Sequence, residues 1–381
     1  MRHQIPKILD WLIRKKSNSR EINKPAKSVD TLLAIVVVLL VIIGIAMVYN
    51  SSVAIGVRDF SDQFYYVKEQ LRGLAIGLFL FSIFSFIDYR HWQKLTRPLV
   101  IVNIILLLLV FVPGIGIGAL GARRWIRILG LVIQPAELAK FTLIVYLSNW
   151  LTQKEKPKLI QFLLIVGFFV GLVMLEPDMG TSIVLVSIAF VVYFCSGSPL
   201  WHFLLMIPLV VTGGATMALA APYRFARLLT FLNPDRDPLG ASYQITQALL
   251  AIGSGGIFGM GLGMSRQKYA YLPEANTDSI FAVIAEETGF IGSVLLILLF
   301  YTVVWRLIKI AKSAPDNFSR LYTAGIVAWI GLQVALNIGA MMSLTPLTGI
   351  PLPLISYGSS SLVILLAALG IQLNISRYTL K

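Results

Sequence analysis

The run Tyr271-Leu-Pro-Glu-Ala-Asn-Thr-Asp-Ser-Ile-Phe281 sets carboxylates at the mouth of a long apolar segment. Acidic side chains are among the costliest groups to hold near hydrocarbon, so Glu274, Asp278, Glu286 and Glu287 together mark a candidate site. Pro273 breaks the preceding helix, and Thr277 or Asp278 begins the next. Two readings of Asp278 follow. It caps that helix through N–H groups two or three residues on, or it is a positioned, solvent-reachable general base. Glu286 and Glu287, two turns deeper, are expected to pair with Lys140 or an arginine, or to raise the base's pKa through like charge.

Other constellations lie elsewhere along the chain. Arg123, Arg124 and Arg127, with Trp125 among them, precede Gln134-Pro-Ala-Glu-Leu-Ala-Lys140. Pro135 suits the first turn of a helix and Glu137 its positive end. Glu137 and Lys140, three residues apart, share a helical face, where they pair or one of them meets a ligand. Asp178, in the turn Glu176-Pro-Asp-Met-Gly-Thr181, caps the following helix or lines the site. Arg224 and Arg227 open a long loop, and Gln244 and Gln247 fall on a short helix expected over 241–252, where they are candidates for a sugar site. The glycine-rich run 253–263 lacks the Lys-Ser/Thr of a phosphate-binding loop and has no strand and acidic ribose ligand around it, so no nucleotide is expected. It reads instead as a loop folded tightly back over the membrane surface. Residues 345–361 contain Pro346, Pro351 and Pro353, which rule out ordinary helix as far as the serines. Ser356 and Ser359 then begin a helix whose N–H groups either meet a diphosphate or serve close packing.

The elements that carry these residues are membrane helices. The chain has 381 residues, of which 57% are hydrophobic and 13% charged, against about 25% charged in an ordinary soluble domain. Its mean hydropathy is +0.80. Backbone satisfaction in lipid then requires an all-α integral membrane protein. We count ten spans, near 31–50, 71–88, 95–113, 135–152, 158–175, 179–195, 200–221, 280–305, 321–342 and 355–376, with a large outer loop (222–279) between spans 7 and 8. The first apolar run is too long for a signal-peptide core and is expected to be retained. Residues 1–30 form a basic tail ahead of a membrane domain over 31–378. That tail, the even-numbered turns and the C-terminus hold 20 of the 32 basic residues, which places both termini in the cytoplasm and the site outside. The net charge of +14 is therefore a topology signal and not a sign of nucleic-acid binding. Cys195 is alone, which excludes an internal disulfide.

Taken in order, these motifs resemble the SEDS family of peptidoglycan polymerases, the FtsW, RodA and SpoVE proteins. The resemblance runs from about residue 30 to 378 and rests on Gln134–Lys140, Glu176–Thr181, Gln267–Glu274, Thr277-Asp278, Ala285–Glu287 and Gly349–Gly358. The form of Gln267–Glu274 is most like the FtsW and SpoVE branch. The resemblance implies ten spans and an inverting glycosyltransferase that joins lipid II units into β-1,4 glycan outside the cytoplasmic membrane, with release of polyprenyl diphosphate. It puts the catalytic aspartate at Asp278. The expected substrate-binding set is Arg123, Arg124, Trp125, Glu137, Lys140, Asp178, Arg224, Gln244, Lys268, Glu274, Glu286, Ser356 and Ser359. A divalent cation, Mg2+ or Mn2+, is an expected alternative to basic side chains for stabilising the diphosphate. Lipid II, the nascent glycan, a class B penicillin-binding protein transpeptidase and other cell-division proteins are the implied partners. Where the family reads His-Thr-Asp-Phe, this chain reads Asn276-Thr277-Asp278-Ser279. A transporter that flips lipid II and a non-catalytic division scaffold are the competing readings.

Overall fold

The computed structural model describes residues 28–119, 122–128, 130–153, 159–219, 225, 230–231, 242–269 and 271–379. The basic tail as far as residue 27, Arg224, Arg227 and most of the loop that follows them lie outside these residues. In chain order the helices are α1 (Thr31–Phe60), α2 (Tyr65–Phe86), α3 (Arg90–Lys94), α4 (Thr96–Leu109), α5 (Pro135–Trp150), α6 (Leu159–Leu175), α7 (Met179–Cys195), α8 (Leu200–Leu219), α9 (Tyr243–Gly255), α10 (Ile280–Lys312), α11 (Asn317–Met341) and α12 (Ser359–Ser376). Among the described residues, α1, α2, α10, α11 and α12 are long and apolar enough to cross a membrane. With the shorter helices α4, α5, α6, α7 and α8 they fall on the ten expected segments.

The expectation of an all-helical chain holds for the membrane-spanning body, and one connection departs from it. Between α4 and α5 the chain forms a three-stranded antiparallel sheet of β1 (Gly116–Ala119), β2 (Ala122–Ile128) and β3 (Leu131–Ile133). The sheet lies at a helix end, where a ladder can form and the edges can be solvated, so it does not conflict with the rule against open sheets in hydrocarbon.

The core helices are α5, α7, α11 and α12, each buried over most of its length. The outer helices α6 and α8 expose Leu164, Phe168, Leu204 and Val211, the surface expected to face lipid. α12 packs most extensively against α2. Gly73, Gly77 and Gly370 let those two backbones meet closely, as small residues do in membranes.

Two polar belts close the ends of the bundle. At one end Asp30 accepts from Arg306 at 2.7 Å and caps α1 through Leu33 N at 3.0 Å, while its own N–H donates to Ser376 Oγ at 3.0 Å. At that same end Tyr89 donates to Asp316, and Tyr89 N donates to Asn374 Oδ1 at 3.0 Å. The other end carries the sheet, the 176–178 turn, the 256–279 segment and the 343–358 segment, and it gathers the candidate site.

α10 is broken. Gly289 has φ 67° and ψ −164°, which interrupts the helix one turn after its buried first half. The break frees backbone groups on both sides, and the glycine-rich run satisfies them. Met260 N and Gly261 N donate to the carbonyls of Glu286 and Glu287 at 2.9 and 3.0 Å, while Phe290 N and Ile291 N donate to those of Gly256 and Ile257 at 2.9 and 3.2 Å. The run thus folds back against the break itself. A Cβ at position 289 would collide with Gly259 N and the Ile257 carbonyl, in a backbone region that L residues rarely adopt. Gly289→Ala is expected to cost about 2 kcal/mol or more from strain alone. The check is thermal unfolding in detergent against Gly167→Ala, whose Cβ meets nothing within 4 Å and which is expected to leave the transition unmoved.

Candidate functional site

The 271–279 loop is built around Glu274, which sits at φ 51°. Its carbonyl accepts from Thr277 N at 3.1 Å and Ser279 N at 3.0 Å, and its carboxylate accepts from Thr277 Oγ1 at 2.6 Å. Leu272 and Ala275 are buried and anchor the loop. α10 begins at Ile280 after Ser279, whose side chain makes no cap bond, so Asp278 stands one residue before the N-cap position. Asp278 is half-buried. Three consecutive carbonyls hold its backbone: Tyr357 N donates to Asn276 O at 2.8 Å, Ser356 Oγ to Thr277 O at 2.6 Å, and Asn337 Nδ2 to Asp278 O at 2.8 Å. Gln244 of α9 donates to the buried hydroxyl of Ser279 at 3.0 Å, so it supports this loop from below.

Glu286 and Glu287 depart from expectation. Neither pairs with Lys140, and both close the break in α10. Glu286 accepts from Ser265 Oγ and from Arg266 N at 3.0 Å. Glu287 accepts from Ser265 N at 3.2 Å, from Lys268 Nζ at 3.0 Å and from Asn50 Nδ2. Lys268 Nζ also donates to Asn50 Oδ1 at 2.6 Å and to Gly263 O at 2.7 Å. Its side chain is 6% exposed, and that of Glu287 is 0%. Lys268 and Glu286 therefore belong to a buried clamp between α1, α10 and the loop.

Lys140 is likewise internal. Its Nζ lies 2.7 Å from Glu137 Oε1 and 3.2 Å from Gln333 Oε1, and 5.0 Å from the centre of the Trp329 ring. Both charged side chains are almost fully buried, and the pairing reading describes them. Gln333 Nε2 passes the chain on to Pro351 O at 2.8 Å, and Asn337 Nδ2 donates to Ile350 O at 2.8 Å. Neither Gln333 nor Asn337 was among the sequence candidates. Two amides at i and i+4 on an otherwise apolar helix were the available signal.

A bulge in β2 divides the arginine group. Arg123 and Arg127 are exposed, but Arg123 lies opposite Gly118 and Trp125 opposite Ile117, the next residue of β1, so Arg124 is the extra residue between them. Arg124 donates to Pro177 O at 2.6 Å and Glu176 O at 3.2 Å, fixing the turn before α7. Asp178 caps α7 through Thr181 N at 3.0 Å and also accepts from Gln134 Nε2 at 3.2 Å. Ser356 and Ser359 both spend their hydroxyls on backbone, Ser359 on Glu69 O at 3.2 Å, and neither hydroxyl proton is left for a diphosphate. Arg224 lies outside the described residues. Among the described residues, no three His, Cys, Asp or Glu side chains gather into a metal site.

Comparison with known proteins decides the family. The model for the cell cycle proteins FtsW, RodA and SpoVE matches residues 30–381. The chain belongs to the FtsW, RodA and SpoVE family. It is 42% identical to stage V sporulation protein E of Bacillus subtilis (strain 168), over 92% of this chain and 98% of that protein. It is 40% identical to the "Probable peptidoglycan glycosyltransferase FtsW" of Geobacter sp. (strain M18), over 91% of this chain and 96% of that one. A chain from a peptidoglycan synthase complex that coordinates polymerization and crosslinking superposes with a TM-score of 0.74 at 32% identity, over 92% of this chain and 98% of that one. Rod shape determining protein RodA of Thermus thermophilus superposes with a TM-score of 0.67 at 29% identity, over 93% and 98%.

Among the described residues, Glu176, in the turn between α6 and α7, is a buried carboxyl, 0% exposed, with both oxygens lacking a hydrogen-bond partner. Burial, reinforced by the neighbouring Asp178 and opposed by Arg124, pushes its pKa up to about 8. The folded state thus keeps a proton that the unfolded chain, with an ordinary value of 4.5, has lost. Its contribution to stability is full below that ordinary value and declines as pH rises, levelling off above about 8. Glu176→Gln is expected to raise stability at pH 8 by about 1 kcal/mol or more and to flatten the decline, measured by unfolding across that range. Lys268→Met is expected to cost about 3–5 kcal/mol by leaving Glu287 buried and unpaired, and adding Glu287→Gln to recover much of it. Unfolding of the single and double variants reads this directly.

Proposed function

We propose that this protein is an inverting peptidoglycan glycosyltransferase that polymerises lipid II at the outer face of the bacterial cytoplasmic membrane, in cell division, with Asp278 as general base. The observation that carries the reading is the fixed and partly exposed position of Asp278 at the loop-rich end. Asp278 stands half-buried on a loop whose backbone is held at three successive carbonyls, whereas Glu137, Asp178, Glu286 and Glu287 are buried. A base needs a fixed position and reach to solvent.

In the reaction, Asp278 takes the proton of the acceptor sugar's 4-hydroxyl as that oxygen forms a bond to the anomeric carbon of the donor. The bond from that carbon to the diphosphate oxygen breaks, and its electron pair leaves with the polyprenyl diphosphate. One displacement inverts the centre. The leaving group needs positive charge, which preorganised cations supply most effectively. The exposed Arg123 and Arg127, together with Arg224, are the candidates from this chain. Lys140 is withdrawn from that set because its charge is spent on Glu137 in the core. The concentration of basic residues on the tail and even-numbered turns supports cytoplasmic termini. A class B penicillin-binding protein is the proposed partner. The likeness to a chain of a complex that joins polymerization with crosslinking supports it.

The test is polymerisation of purified lipid II by the native chain and by Asp278→Asn, with the partner present and folding matched. The native chain is expected to form glycan strands and the variant to lose at least about 100-fold in rate. A variant that polymerises at the native rate removes Asp278 as the base. Transfer of lipid II across vesicle membranes with no glycan from either chain replaces the enzyme with a transporter.

A further inference from the structure

We infer that Asn337 and Ser356 are positioning residues for Asp278, a role that rests on the reading of Asp278 as general base. Neither touches the reacting atoms. Each acts by fixing the backbone from which the carboxylate projects.

The geometry is specific. Asn337 is 2% exposed, and its amide nitrogen has two protons. One goes to Asp278 O and the other to Ile350 O, both at 2.8 Å. Ser356 has one hydroxyl proton, given to Thr277 O at 2.6 Å, and the same oxygen accepts from Leu352 N at 2.8 Å. Each residue therefore bridges the catalytic loop and the irregular 346–356 backbone. Asn337 belongs to α11, one of the most buried helices, so the position of Asp278 is referred to the rigid core and not to the loop alone.

Two alternatives are weaker on the same observations. A direct substrate role for Ser356 needs a hydroxyl proton that is already committed. A purely packing role does not account for donors meeting the carbonyls of residues 277 and 278, immediately before and at the proposed base. Ionisation of Asp278 does not compete with these bonds, because both donors address main-chain oxygens. The expected effect is therefore on geometry at the moment of proton transfer, where a displacement of about 1 Å can cost on the order of 100-fold.

The experiment uses the full-length chain with its transpeptidase partner and purified lipid II, and measures kcat, KM and direct lipid II binding for Asn337→Ala, Ser356→Ala, Ser356→Thr and Asp278→Asn. For both alanine variants we expect kcat to fall about tenfold or more, with KM and lipid II affinity within about twofold of native. Ser356→Thr, which keeps the hydroxyl, is expected to return to within about threefold of the native kcat. Native kcat in the alanine variants, or a raised KM with kcat unchanged, overturns the inference, as does a Ser356→Thr chain no better than Ser356→Ala. If Asn337→Ala does not fold, Ser356→Ala decides. If neither folds, the role is structural and the inference falls. Asp278→Asn separates the two levels. A dead Asp278→Asn beside fully active alanine variants removes the positioning role alone, whereas an active Asp278→Asn removes the base and the role together.

Discussion

The break in α10 at Gly289 is the constraint on which the loop-rich end depends. A helix interrupted at membrane depth leaves carbonyls and N–H groups that lipid cannot satisfy, at a cost of several kcal/mol each. Here the carbonyls of Glu286 and Glu287 and the N–H groups of Phe290 and Ile291 all find partners in the run 256–261. That pairing fixes the glycine-rich segment against α10. The following residues must then start from a set place, and Ser265 and Lys268 lock them to Glu286 and Glu287. Asp278 emerges where it does because both ends of the 262–279 path are tied to the same half-helix.

A second set of buried polar groups supports the facing wall. The 346–353 segment contains prolines that remove donors and forbid helix, so its carbonyls need partners from elsewhere. Gln333 and Asn337, one turn apart on α11, supply them at Pro351 O and Ile350 O. Gln333 in turn accepts from Lys140 and from Trp329, which draws the Glu137–Lys140 pair into the same network. Breaking a member of such a network orphans a buried group, and the penalty for an orphan exceeds the net worth of the bond that was lost. The network thus resists piecemeal change, and it ties α5, α11 and the proline segment into one rigid wall.

Much of the fold was legible because hydropathy along a membrane chain reports lipid contact almost residue by residue. The ten helices fall where the apolar runs lie, and the caps at Pro135 and Asp178 follow from local chemistry. What was illegible depended on tertiary partners. The sheet at 116–133 lies between spans, where the 20-residue apolar signal that identifies helices is absent. Treating Arg123, Arg124 and Trp125 as one group missed the bulge at Arg124, which sets Arg123 and Trp125 against consecutive residues of β1. The acidic pair in α10 read as a site because costly charges near hydrocarbon usually are one. Its partner Lys268 is close in sequence but reaches it only because the loop doubles back, and Asn50 comes from the first helix.

The distribution of carboxylates at this end follows from the same accounting. A carboxylate held deep in the bundle must be paired, capped or neutral, since an isolated buried charge costs more than folding can return. Glu137 meets a lysine, Glu286 and Glu287 meet the loop clamp, and Asp178 meets the start of α7. Glu176, with no such partner, is held toward its neutral form. Apart from Glu176, each of these side chains is held by bonds to its own carboxylate. Asp278 is also held through its backbone, because its main-chain carbonyl and those of the two residues before it accept bonds. Anchoring through the backbone sets the position of the residue with bonds that do not themselves depend on the protonation of its carboxylate. A general base benefits from such anchoring, because its place is fixed before the proton is transferred.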